Sequence, residues 1–178
     1  KDGDISGAAE IMQEVSVETI GSMEAREKLD FILEQVRLCI ARKDYIRAEI
    51  ISKKVTDKQL NKEDLQDLKL KHYNQMIELY SNRDAYLDIS KCYQSIYNTK
   101  IVQEDEKQWS NALSRVVIFL ALSSFDYEVS EMLERFKADP RIEQLSAFQA
   151  LLTALTTQEL IPWPLSIEQE LKEHEEFQ

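Results

Sequence analysis

The chain is poor in the residues that punctuate a fold, with 3 Gly and 3 Pro among 178 residues. All-β folds need many turn formers and nucleotide-binding α/β folds need glycine-rich loops, so this shortage argues for helices. Histidine is nearly missing too. His72 and His174 are the only two, which excludes an imidazole-rich metal centre, an HExxH protease and a zinc-dependent deubiquitinase. Cys39 and Cys92 make neither a disulfide framework nor a CxxC pair. Both sit in apolar helical contexts and read as small hydrophobes of a reducing compartment, cytoplasm or nucleus. GxGxxG, P-loop and GxSxG motifs are absent, and no catalytic, cofactor-binding or metal-binding residue is assigned. No apolar run approaches the roughly 18 residues that cross a membrane, and no signal peptide is visible. The chain opens mid-pattern at KDGDISG without Met, which reads as a piece of a longer protein. Cations are outnumbered, 22 Lys and Arg against 33 Asp and Glu, for a net charge of −11. That balance opposes nucleic-acid phosphates or anionic lipid as the main partner.

What is present is a rhythm. With 43% hydrophobic and 31% charged residues, the chain can bury a sizeable core. Asp4, Asp44, Asp84 and Asp126 recur about every forty residues, each just before a short amphipathic stretch. Three of them follow a longer apolar one. Val36, Met76 and Ile118 stand eight residues before the last three aspartates; Cys39, Leu79 and Ala121 stand five before. After Asp84 the pattern fits best when slid by one residue, as a one-residue longer turn requires. This period is that of helix-pair arrays, which present surface to partners.

The periodicity predicts a short helix over 4–14, then hairpins over about 22–55, 61–97 and 104–137, and a further helix over about 141–156. Ser22 is the expected cap of the first long helix. Leu29, Ile32, Leu33, Val36 and Ile40 form that helix's apolar stripe, with Tyr45, Ala48, Ile51 and Val55 inward on the return helix. Leu65, Leu68, Tyr73, Met76, Ile77 and Tyr80 face Ile89, Cys92, Tyr93 and Ile96. VVIFLAL (Val116 to Leu122) is apolar all round and predicts a helix buried on more than one side, rather than a strand. Residues 1–161 thus form an α-helical repeat array. Residues 162–178 form a Pro-Trp-Pro junction and an acidic C-terminal segment that stays solvated or meets a basic partner.

Few side chains invite a chemical role. His72 beside Tyr73 reads as a packing-boundary residue. Glu104, Asp105 and Glu106 read as a helix N-terminus. Lys53, Lys54, Lys58 and Lys62 form a small basic cluster, read as a solvated turn. Trp109 belongs to an apolar stripe and reads as core. Trp163, between two prolines, is the candidate partner contact.

The strings DISGAAEIMQEV, VETIGSMEAREK, DFILEQVRLCI, DYIRAEIISKKV, LKLKHYNQMIEL and LTTQELI resemble matching stretches of a PCI-domain-containing family, the fifth non-ATPase subunits of the 26S proteasome regulatory particle lid. The resemblance runs collinearly over about residues 1–163. It implies an all-α fold of stacked antiparallel helix hairpins, a TPR-like, PCI-associated α-solenoid with a right-handed superhelix. It implies the helical-repeat arm of a non-catalytic scaffold, with the PCI winged helix absent. Its expected partners are lid subunits (the lid's deubiquitinase among the neighbours), the base ATPase ring and the core particle, in ubiquitin-dependent protein degradation in cytoplasm and nucleus. No nucleic acid, membrane, cofactor or small-molecule substrate is expected. IPWPLSIEQEL departs from the family's usual continuation after Thr156-Thr157. The alternatives are a subunit of a related PCI complex, the COP9 signalosome or translation initiation factor three, and a TPR-like peptide-binding adaptor.

Overall fold

The computed structural model describes residues 7, 11, 12, 23–157, 161 and 165–172. Among them the secondary structure is helical, without a strand. The helices are α1 (Ala25–Ala41), α2 (Tyr45–Ser52), α3 (Asp57–Leu60), α4 (Gln66–Ser81), α5 (Tyr86–Tyr97), α6 (Lys100–Glu104), α7 (Glu106–Leu122), α8 (Tyr127–Lys137), α9 (Ser146–Thr156) and α10 (Glu168–Leu171). Single 3-10 turns occupy Glu63–Leu65 and Pro140–Gln144. The all-α expectation holds, and VVIFLAL is helix. Of the predicted 4–14 helix, Gly7, Ile11 and Met12 have helical backbone; the rest lies outside the described residues, as does Ser22.

Local chemistry sets the boundaries. The cap of α1 is Glu24 rather than Ser22: its backbone N–H donates to Glu27 Oε2 at 3.2 Å, as in a capping box. Asp44 caps α2 by accepting from Arg47 N at 3.2 Å, and Asp126 caps α8 by accepting from Val129 N at 2.8 Å. Asp84 does something else. It takes the left-handed conformation, φ 53°, and α5 starts two residues later behind Ala85. Its counterpart in the earlier turn is Lys43, φ 61°, not Asp44. The α4–α5 turn is therefore one residue longer than the α1–α2 turn, which is why the pattern after Asp84 has to be slid by one.

Contacts divide the chain into two compact units, one running to Asp84 and including Thr99–Ile101, the other comprising Ala85–Asn98 and the chain from Val102 on. In the first unit α1 packs against α2 and α4. Leu29 and Leu33 meet Leu60, Leu65 and Leu68, with Val55 and Tyr73 against them. Gln75 Nε2, buried, donates to the Leu33 carbonyl at 3.0 Å, and Gln35 Nε2 donates to the Met12 carbonyl. The expected return helix over 45–55 ends at Ser52. The stretch read as a turn after it folds instead into α3 and the 3-10 turn, which bury Leu60 and Leu65.

In the second unit α7 is the central helix. Leu113, Val116, Val117, Ile118 and Leu120 are at most 1% exposed, and α5, α8 and α9 pack on it. Its all-round apolar sequence thus reflects burial on several sides. Ser90 Oγ of α5 donates to the Val116 carbonyl at 3.1 Å. Tyr93 stacks on Phe119 with centroids 5.6 Å apart. The expected 61–97 hairpin is redistributed: α4 lies in the first unit and packs on α1, whereas α5 lies in the second and packs on α7. Pro140 opens a 3-10 turn rather than the 141–156 helix; Leu145 interrupts it at φ −113° and ψ 72°, and α9 follows.

Candidate interaction surfaces

The residues that might have carried chemistry are occupied by structure. His72 is buried, with its ring 5.3 Å from that of Tyr73 in an edge-on contact. Burial pulls its pKa down to about 4, against a smaller opposing pull from Asp57. The ring is therefore neutral near pH 7, and Nδ1 has no hydrogen-bond partner. Cys39 and Cys92 are buried thiols, neither in a disulfide; desolvation, helped by Asp88, pushes Cys92 up to about 12, so it is not a nucleophile at neutral pH. No group of three or more His, Cys, Asp or Glu placed to hold a metal occurs among the described residues. His174 and Trp163 lie outside the described residues.

Trp109 is core, 7% exposed, and its site is more polar than its sequence suggests. The Arg141 guanidinium lies 5.2 Å from the Trp109 ring centroid and 5.7 Å from that of Tyr97. The Tyr97 hydroxyl donates to Asp139 Oδ2 at 2.7 Å, while Asp139 Oδ1 accepts from Arg141 N at 2.9 Å. Burial first, then the Asp139 carboxylate, pushes the Tyr97 phenol up to about 12. This is a structural clamp of a cation against two aromatic faces, joining α5, α7 and the 3-10 turn at Pro140. Asp105 caps α7 as the acidic run predicts, accepting from Lys107 N at 2.9 Å and Gln108 N at 3.3 Å. Those bonds hold its carboxyl below the usual range, the Gln108 N–H foremost.

What remains available is surface. On α2, Ile46 and Ile50 are 78% and 60% exposed. At the α7–α8 corner, Leu122, Phe125 and Tyr127 are 43%, 75% and 86% exposed. Residues four apart share a helix face, so Ile46 and Ile50 form one outward stripe while Ala48 and Ile51 point to the core. Of the basic cluster, Lys53 pairs with Glu49 at 3.3 Å and stays largely exposed. Sequence reasoning missed these surfaces because it sought inward positions; the available signal was a third isoleucine on an eight-residue helix that buries only one face.

The first 105 residues match the family model described as PSMD12/CSN4, N-terminal. The chain is 43% identical over 162 residues to the 26S proteasome regulatory subunit rpn501 of Schizosaccharomyces pombe, covering 91% of this chain and 37% of that protein. It is 40% identical over 162 residues to the 26S proteasome non-ATPase regulatory subunit 12 of Dictyostelium discoideum, covering 91% and 36%. With the 26S proteasome regulatory subunit RPN5 of Saccharomyces cerevisiae the figures are 35% over 165 residues, 93% and 37%. The chain spans little more than a third of the length of these curated relatives. By the match over residues 1–105, and in keeping with the all-helical fold, the chain belongs to the PSMD12/CSN4 N-terminal family.

Proposed function

We propose that this chain is the helical-repeat part of a non-catalytic scaffold subunit of the 26S proteasome regulatory particle lid, serving ubiquitin-dependent protein degradation in cytoplasm and nucleus. The observation that carries the reading is collinear similarity, over about nine-tenths of the chain, to proteins named as 26S proteasome regulatory subunits in three organisms. The physical side agrees with it. Helices stacked around continuous apolar cores hold surface residues at fixed separation, and the ionisable groups inside are neutral or spent on caps and clamps. The work is then positional: the helices offer rigid faces to neighbouring lid subunits, the ATPase ring and the core particle.

Native affinity isolation of the tagged full-length gene product, read by mass spectrometry, tests the reading. Recovery of lid, base and core subunits in near-equal amounts is the expected result. Recovery of COP9 signalosome or translation initiation factor three subunits instead keeps the fold and replaces the function. Isolation of the protein alone sinks the scaffold reading and returns the peptide-binding adaptor to first place.

A further inference from the structure

We infer that the outward face of α2 is a docking surface for an acidic amphipathic helix of a neighbouring subunit, one that offers an aliphatic stripe edged with Asp or Glu. The inference rests on the scaffold reading above and adds to it the place and the chemistry of one contact. Ile46 and Ile50 lie one turn apart on that face and give 78% and 60% of their surface to solvent. Helical geometry continued past the last turn puts Lys53 and Lys54 on the same side, with Arg47 at its border; Lys43 stands in the turn before α2, and all four are exposed. The carboxylates of the segment stand at the edges and are engaged. Asp44 caps α2 and pairs with Arg47 at 3.4 Å; Glu49 pairs with Lys53 at 3.3 Å and with Arg83 at 3.2 Å.

In α2 and its flanks, from Lys43 to Lys54, four cations stand against two carboxylates, in a chain whose net charge is −11. A local excess of that sign, around an isoleucine pair the fold leaves uncovered, is complementary to an aliphatic stripe with an acidic rim. Two terms then act together. Burying the isoleucines supplies the non-directional attraction, and the cations choose acidic over basic partners. The existing ion pairs are solvent-exposed and weak, so Lys53 and Arg47 exchange partners at little cost. A phosphate polymer is the poorer match, since it makes no use of the isoleucines and meets the repulsion of the whole acidic chain.

The test is photo-cross-linking from position 50 of the full-length protein inside the assembled particle, with adducts mapped by mass spectrometry. The expected adduct is a peptide of another subunit with two or more carboxylates and an aliphatic residue within one helical turn. Lys43→Glu with Lys54→Glu then lowers the adduct yield about tenfold by charge repulsion, while Ile46→Ser lowers it with the particle still intact. Both changes are on exposed side chains and leave the helical circular dichroism unchanged. Adducts to nucleic acid, to a second copy of this chain or to a basic peptide overturn the inference, as does a normally assembled particle with no adduct. Those results leave the scaffold reading standing; a wild-type protein that enters no assembly sinks both.

Discussion

The first unit buries amide and imidazole side chains among its helices, whereas the interior of the second is mainly hydrocarbon. Around α1 and α4 the buried residues include Gln35, His72 and Gln75, and ion pairs bridge elements from outside: Arg26 with Asp67, Lys71 with Asp30 at 2.8 Å, Arg83 with Glu49, Lys100 with Glu63. Around α7 the buried polar residues are Ser90 and Ser114, whose hydroxyls return to helix carbonyls. Its cations lie at the edges, Arg141 over Tyr97 and Trp109, Arg115 over Tyr93, and Lys91 paired with Glu128 at 2.7 Å. Hydrocarbon packing is non-directional and insensitive to pH, whereas a buried imidazole makes stability depend on protonation. Two similar-sized helical units should thus respond differently to truncation, acid and salt.

Truncation of the dry core gives the largest effect. Leu113→Ala is expected to cost the second unit about 2–5 kcal/mol, because the helices packed on α7 cannot collapse onto the space. Hydrogen exchange read peptide by peptide should show the loss in α5, α7, α8 and α9, with α1–α4 unchanged. A uniform loss over both units would erase the distinction between them.

Acid is expected to act on the first unit. The folded His72 pKa of about 4 lies below the ordinary 6.5, so between these values the unfolded chain binds the extra proton. Stability from this group is full above about pH 6.5, falls as pH drops toward 4, and then levels off, a change of up to about 3 kcal/mol. His72→Leu should flatten that part of the profile in denaturant titrations at pH 7 and pH 5. An unchanged slope would show that other groups set the acid response.

The turns supply a finer contrast. Asp126→Ala and Asp44→Ala are each expected to cost about 1 kcal/mol by removing a cap. Lys43→Gly, which relieves a left-handed side chain, should gain up to about 1 kcal/mol. Urea midpoints for the three variants check the signs. The smallest effect belongs to Arg26→Ala, whose pair with Asp67 is solvent-exposed and weak. The difference should vanish in 1 M salt, measured as the shift in thermal midpoint.

Much of this arrangement is legible in the residues. Helical spacing identified α1, α4, α5, α7 and α8 to within a few residues, since each carries a strong apolar stripe. The burial of Trp109 and the role of Asp105 followed from their neighbours. Which helix packs on which did not follow. Period and stripe say that α4 and α5 are apolar on one side, but not that α4 turns to α1 and α5 to α7. That choice depends on shape fit between stripes, such as Tyr93 against Phe119, which one-dimensional spacing does not encode. The two-part segment after Pro140 escaped notice because Leu145 breaks the hydrogen-bond pattern without a glycine or proline at the break. Asp84 looked like its companions by type and spacing; only its φ of 53° separates a turn residue from a cap. Trp163, read as the partner contact, lies outside the described residues, and the outward isoleucines of α2 take its place as the surface to test.

We propose that the protein works by holding others in position, and reconstitution puts this to the test. The regulatory particle would be assembled from its subunits with and without the full-length protein and its mass read by native mass spectrometry. Leaving the protein out is expected to stop assembly at subcomplexes lacking its neighbours. A particle short of one subunit, otherwise complete and still degrading ubiquitinated substrate at the normal rate, would contradict it.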